Sequence, residues 1–196
     1  MADRRIKDIA TTAAIPASDD YVALDGATQG TRRIFWTALR QDQSMGALYL
    51  TSSAATVIGD TTNFFKALGT TSLNSSESVV QGFDMPANNR LRYTGTETVH
   101  TQIAVSTSFT TASNNQFIEL AVYFYDDSAG SGSILTHSTI SRKVSTGADV
   151  GSTSLNADVV MDENDYLELH MKNTTGTVNV TLTHLYLYGL GVRFVA

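Results

Sequence analysis

After Gly46, apolar and polar side chains alternate with a period of two, in runs broken by Gly, Asn, Asp and Ser. That period places successive side chains on opposite faces of a strand. It predicts strands over 47–51, 64–69, 79–85, 91–93, 98–109, 117–125, 134–144, 154–161, 166–172 and 177–188, with a short apolar tail at 192–195. The polar stretches between them carry the Gly and Asn of turns, the pattern of a sandwich or barrel. An all-β body follows.

Two of these segments can be paired on paper. With Asn173-Thr174-Thr175-Gly176 as a hairpin turn, Met171 falls opposite Val178, Leu169 opposite Val180 and Leu167 opposite Leu182. His170, Glu168 and Tyr166 then fall opposite Asn179, Thr181 and Thr183 on the other side. A one-residue slip would scramble both faces, which favours this register. The same parity puts His184, Tyr186 and Tyr188 on the core side and Leu185 and Leu187 on the other, so the strand ends apolar on both faces. Segment 117–125 does likewise, with Ile118, Leu120, Val122 and Phe124 on one face and Phe117, Ala121, Tyr123 and Tyr125 on the other. A two-layer sandwich buries one face of each sheet, and a second apolar face marks a contact surface. Phe117, Tyr123, Tyr125, Leu185 and Leu187 are therefore expected at a subunit interface.

Before Gly46 the pattern changes. Residues 9–16 read as an extended arm ending at Pro16. Asp19-Asp20-Tyr21-Val22-Ala23-Leu24-Asp25 reads as a strand, 26–30 as a turn, and Thr31-Arg32-Arg33-Ile34 as the returning strand of a small hairpin. Phe35, Trp36 and Leu39 stand at helical spacing, so one or two helical turns are expected over 35–41. A lone hairpin is marginal in water, so residues 1–43 are expected to fold against their own body or a partner. The division expected is an N-terminal arm, 1–43, and a trimerising body, 44–196.

Composition agrees with strands: Thr occurs 27 times and Ser 19 times, in a chain whose apolar residues suit a pleated surface. The absence of cysteine removes disulfides, thiolate metal sites and cysteine nucleophiles. No apolar run is long enough to span a membrane as a helix, and the charged start Met1-Ala2-Asp3-Arg4-Arg5 lacks the apolar stretch of a secretory signal. The net charge is −6. Acidic and basic residues balance within 1–43, so the excess lies in the body, a poor surface for phosphate. Neither nucleic acid nor a membrane is expected as partner.

Candidate chemistry is thin. His100, His137, His170 and His184 fall on separate segments, without the spacing or ligand company of a zinc site. Asp158, Asp162, Glu163, Asp165 and Glu168, with Asp126 and Asp127, are the densest acidic stretches, yet they lack the regular spacing of a calcium loop. Gly130-Ser131-Gly132-Ser133 precedes a strand and no helix, so it lacks a phosphate cradle. No Gly-x-Ser-x-Gly elbow occurs. No metal, cofactor or catalytic set is expected, and an enzyme is disfavoured.

Asp19-Asp20-Tyr21-Val22-Ala23-Leu24-Asp25-Gly26, continued by Gly30-Thr31-Arg32-Arg33-Ile34, resembles a short N-terminal module of bacteriophage head and tail appendage proteins, where it attaches the appendage to the virion. The runs from Ile140 to Gly151 and from Asp165 to Gly176 are similar to phage structural proteins with a tumour-necrosis-factor-like jelly roll. The resemblance implies a homotrimer of antiparallel jelly-roll sandwiches, the last strands near the threefold axis and the arm as a docking module. A trimeric capsid decoration, or cement, protein on the outer surface of the head, made in the host cytoplasm, is the expectation. Its partner would be the major capsid protein or another virion protein, held through Arg4, Arg5, Arg32, Arg33, Ile34, Phe35, Trp36 and Leu39. The lack of a repetitive shaft, heptads or collagen-like repeats favours decoration over a fibre. The alternative is a head-fibre or tail-fibre adhesin whose tip loops, 126–133 and 110–116, bind a host glycan or protein.

Overall fold

In the computed structural model, residues 21–24, 32–35, 43–74, 81–146 and 149–193 are described. The chain divides into two compact units, Met1–Asp42 and Gln43–Ala196. In the first, β1 (Tyr21–Leu24) pairs antiparallel with β2 (Arg32–Phe35), Tyr21 opposite Phe35 and Leu24 opposite Arg32. This is the hairpin that the sequence predicts. Phe35 closes its strand, in register with Tyr21, instead of opening a helix. The rest of the expected helical turn, 36–41, lies outside the described residues.

The second unit is built from antiparallel strands in two sheets. Its elements are β3 (Gln43–Ser53), β4 (Ala55–Thr56), β5 (Phe65–Lys66), β6 (Gly69–Leu73), β7 (Phe83–Ala87), β8 (Arg90–Tyr93), β9 (Val99–Thr111), β10 (Gln116–Asp126), β11 (Ser131–Ile134), β12 (Ile140–Val144), β13 (Gly151–Met161), β14 (Tyr166–Asn173) and β15 (Val180–Arg193). One sheet runs β11-β10-β14-β8-β7, with β12 also on β10 and β5 also on β14. The other runs β13-β9-β15-β3-β6, with β4 also on β15. The antiparallel jelly-roll sandwich expected for the body is the fold found. The predicted segment 134–144 is broken by a 3-10 turn, Thr136–Ser138, where the Ser138 hydroxyl accepts the Val122 N–H at 2.8 Å and donates to the Leu135 carbonyl.

The expected hairpin of the last two long strands is corrected. β14 lies between β10 and β8 in one sheet, and β15 lies between β9 and β3 in the other. Leu167, Leu169, Met171, Val180 and Leu182 belong to the common core, so they meet across it and not side by side. The crossing is fastened by Asn173. Its amide donates to Gln116 Oε1 at 2.9 Å and to the Val178 carbonyl, and its Oδ1 accepts the Thr175 N–H. These bonds turn the chain out of one layer and into the other.

A second correction concerns parity along β15. Leu182 pairs with Phe109 but His184 pairs with Ser108, so Thr183 is an extra residue, a β-bulge. Beyond it the faces exchange. Leu185 and Leu187 are fully buried in the core, and Tyr186 and Tyr188 are on the outer face, partly exposed. Regular alternation predicted the reverse.

Near one end the two sheets approach closely. Gly46 and Gly189 are direct partners across β3 and β15, and a Cβ on Gly46 would stand 2.5 Å from the Phe83 Cβ. On the other side of the core, Asn89 takes a left-handed φ of 53° in the turn between β7 and β8. Its buried amide donates to the carbonyls of Ala67 and Leu169 and accepts the Leu169 N–H. One side chain thus extends the ladder of β14 between β5 and β8, where the Leu169 carbonyl also accepts the Ala67 N–H at 3.0 Å.

Candidate functional site

The outward faces of the two sheets differ in kind. On β10 and β14, Tyr123 stacks on His170 with ring centroids 4.5 Å apart, and Tyr125 stacks on Tyr166 at 4.6 Å. The Arg90 guanidinium lies 3.8 Å from the centre of the Tyr166 ring. Beneath them Glu168, its side chain only 4% exposed, accepts Lys66 Nζ at 2.6 Å and Arg90 Nε at 2.8 Å, and joins His170 Nε2 at 3.1 Å. Burial pushes the Glu168 carboxyl up, but the bonds from His170, Lys66 and Arg90 outweigh it and hold its pKa at about 2. Lys172 pairs with Glu119 at 2.7 Å. The charges and rings of this face are largely matched within the protomer.

The outward face of the other sheet divides into halves. On β15 and β3 it carries Tyr186, Tyr188, Leu190 and Val192 beside Met45 and Tyr49, the last 41% exposed. On β9 and β13 it is polar. Cross-strand register sets Asn156, Ala104 and Tyr188 in one row and Asp158, Gln102 and Leu190 in the next. Ala104, small between larger neighbours, leaves the floor low. A groove of about 610 Å³ lies there, with His100 and His137 also lining it. His100 Nε2 is 2.9 Å from Asp158 Oδ2, and His137 Nε2, on the 3-10 turn, is 3.2 Å from the Asp158 carbonyl.

The structure separates the residues that the sequence grouped. Leu185 and Leu187 are core residues of their own protomer and are removed from any interface set. Tyr123 and Tyr125 face outward, each with one ring face taken by a neighbour on β14, while Phe117, 47% exposed, sits at the start of the same strand. Arg32, Arg33, Ile34 and Phe35 are together on β2. Arg4, Arg5, Trp36 and Leu39 lie outside the described residues. In the acidic stretch, the buried Asp165 carboxylate accepts the N–H groups of Asp127 and Asp162, tying two loops together. The groove residues Gln102, Ala104, Asn156 and Tyr188 were missed. They are brought together only by the β9–β13 and β9–β15 pairings, of which their local spacing carries no trace.

Neither a protein-family model nor a curated protein sequence matches the chain. Solved structures do. Murine APRIL, in a crystal structure at pH 5.0, is similar over 76% of this chain and 99% of its own, with a TM-score of 0.52 at 9% identity. The Eiger TNF of S. frugiperda is similar over 80% of this chain and 94% of its own, with a TM-score of 0.53 at 11% identity. At such identities the likeness is one of fold: the body is a tumour-necrosis-factor-like jelly roll.

Proposed function

We propose that this protein is a bacteriophage virion component, a homotrimeric capsid decoration protein that holds to the head shell through its N-terminal unit. The observation that carries the assembly is the apolar half-face of β3 and β15. Tyr49, Tyr186, Tyr188, Leu190 and Met45 lie on one side of a sheet whose other side already packs the core, and the exposed ones lose hydration cost when a second copy covers them. The interface therefore moves from the residues expected on β10 to this face. The opposite sheet is a weaker choice, because its rings and charges already have partners within the protomer.

The virion assignment rests on the sequence resemblance of 19–34 to an attachment module, now seen as a β1–β2 hairpin in a unit separate from the body. The mechanism is adhesive. Three arms on one trimer bind neighbouring shell subunits, and each contact after the first gains from the high effective concentration that the trimer imposes.

The test has two parts. Light scattering on the full chain is expected to give a mass near three times 21.1 kDa. Deleting residues 1–42 is expected to leave that trimer intact and abolish co-sedimentation with heads of the encoding phage. A monomeric full chain would remove the assembly, and full occupancy by the truncated trimer would remove the docking role.

A further inference from the structure

The outward face of β10, β14, β5 and β8 belongs to the sheet away from the proposed contact between copies, so it stays uncovered whether or not the trimer forms. Strand register brings its side chains together. Tyr123 stands opposite Glu168, Tyr125 opposite Tyr166 and Lys66 opposite His170. Lys66 and Arg90 come from the β5 and β8 side of β14, and Tyr123 and Tyr125 from the β10 side. Their placement is set by the sheet and not by a loop.

The charges of this cluster do not balance. One carboxylate, Glu168, meets two permanent cations, and it is 4% exposed while the Lys66 and Arg90 side chains are 29% and 31% exposed. The anion is therefore buried below, and the positive surplus reaches solvent. Among the described residues, no second carboxylate comes within ion-pair distance of either cation. Lys66 directs one proton, and Arg90 its Nε–H, to Glu168 Oε1. The other ammonium protons and the Nη fork are left for an outside acceptor. That fork is held in place, because the guanidinium lies 3.8 Å from the centre of the Tyr166 ring and the same ring stacks on Tyr125. A guanidinium fixed in its plane suits a carboxylate or sulfate, which takes two parallel N–H bonds. Tyr123, Tyr125 and Tyr166 add phenolic hydroxyls that have no hydrogen-bond partner among the described residues. Each can donate to and accept from a sugar hydroxyl.

We infer that this face binds an acidic saccharide, its carboxylate or sulfate held between Lys66 Nζ and the Arg90 Nη atoms and its hydroxyls met by the Tyr123, Tyr125 and Tyr166 phenols. Glu168 is then a positioning residue. It orients both cations from beneath and, by its own charge, weakens their hold on an outside anion. The inference depends neither on the virion assignment nor on the trimer. It gives the outer sheet a recognition function of its own, away from the loops at 110–116 and 126–133.

Saturation-transfer difference NMR titrations on the full chain test it, at low ionic strength because salt screens exposed charges. The probes are D-glucuronate, N-acetylneuraminate and D-glucose 6-sulfate, each up to roughly 50 mM, a range that captures millimolar affinity. At least one is expected to bind, while D-glucose does not, and sodium sulfate is expected to displace it only at a concentration at least roughly fivefold higher than the sugar's own Kd. Arg90→Gln and Lys66→Gln are each expected to weaken binding by roughly tenfold or more. Lys143→Gln, a cation on β12 beside Phe117, is expected to leave it unchanged. Glu168→Gln carries the sharpest expectation: with the buried anion gone, binding tightens by roughly fivefold. A cluster that only holds the fold together would lose binding in that variant instead. Circular dichroism verifies that each variant is folded, and Lys66→Gln, at a partly exposed position, carries the test if either of the other two cluster variants fails to fold. No binding by any of the three acidic sugars would overturn the inference. So would equal binding by D-glucose, displacement by sulfate at the sugar's own Kd, or affinity unchanged in a folded Lys66→Gln.

Discussion

Leu182 stands opposite Phe109 while His184 stands opposite Ser108, and the unpaired Thr183 between them reverses which side of β15 faces the core. Two neighbours beyond it should therefore behave in opposite ways. Leu187→Ala empties a fully buried site and is expected to cost about 2–4 kcal/mol in urea unfolding. Tyr188→Ser is expected to cost less than about 1 kcal/mol as a partly exposed position, yet to shift the light-scattering mass from trimer toward monomer. If Tyr188→Ser proves the more destabilising in a monomeric background, the parity assigned here is wrong.

Glu168 makes stability depend on acid. Its folded pKa of about 2 lies below the ordinary value of 4.5. The charged form is thus favoured in the fold, and its contribution is present in full above about pH 4.5 and lost as the pH falls toward 2. A shift of this size corresponds to roughly 3 kcal/mol. Thermal melts between pH 7 and pH 2 are expected to show this loss. Glu168→Gln should cost about 2–4 kcal/mol at pH 7, since Lys66 and Arg90 lose their buried counter-charge, and should flatten the acid limb of the profile.

Asn89→Ala removes the three hydrogen bonds that its amide makes to the backbone of Ala67 and Leu169, while keeping a side chain at positive φ. The Leu169 carbonyl keeps the Ala67 N–H, but the Leu169 N–H and the Ala67 carbonyl lose their partner; such buried groups cost about 1–3 kcal/mol each, so a loss of at least about 2 kcal/mol is expected. Hydrogen exchange at the Leu169 amide should rise more than at Val122, whose partner is Ser138.

Gly46→Ala brings a Cβ to 2.5 Å from the Phe83 Cβ, an atom held close to its backbone that cannot swing aside. Overpacking of this kind costs about 1–3 kcal/mol. Gly189→Ala, whose added carbon would stand 3.4 Å from Leu91, is expected to cost less. Denaturant midpoints of the two variants measure the difference directly.

The strands were legible because alternation is a local property: β8, β9, β10 and β14 begin and end within a few residues of where the pattern starts and stops. The β1–β2 hairpin was legible for the same reason. Pairing was not. Leu167, Leu169 and Met171 match Val180 and Leu182 equally well as hairpin neighbours or as residues facing one another across a core, and apolar pattern alone does not distinguish them. The Thr183 bulge left no signature among the threonines around it, and from there the error passed to Leu185 and Leu187. The groove was least legible, since Gln102, Asn156 and Tyr188 become neighbours only through pairings between distant strands.

Asp165 joins the loop after β10 to the turn before β14, its two carboxylate oxygens each holding one backbone N–H. A loop rich in Gly and Ser is ordinarily a loose tether, and whatever it carries samples many orientations. Here the base of the loop is anchored, and its tip is held as well, with the Ser128 hydroxyl and the Ala129 N–H donating to the Asp126 carboxylate and the Gly130 N–H to the Asp127 carbonyl. A peptide grafted between Ala129 and Gly130 would project from a fixed root, with its direction set by a buried carboxylate some thirty-five residues further along the chain.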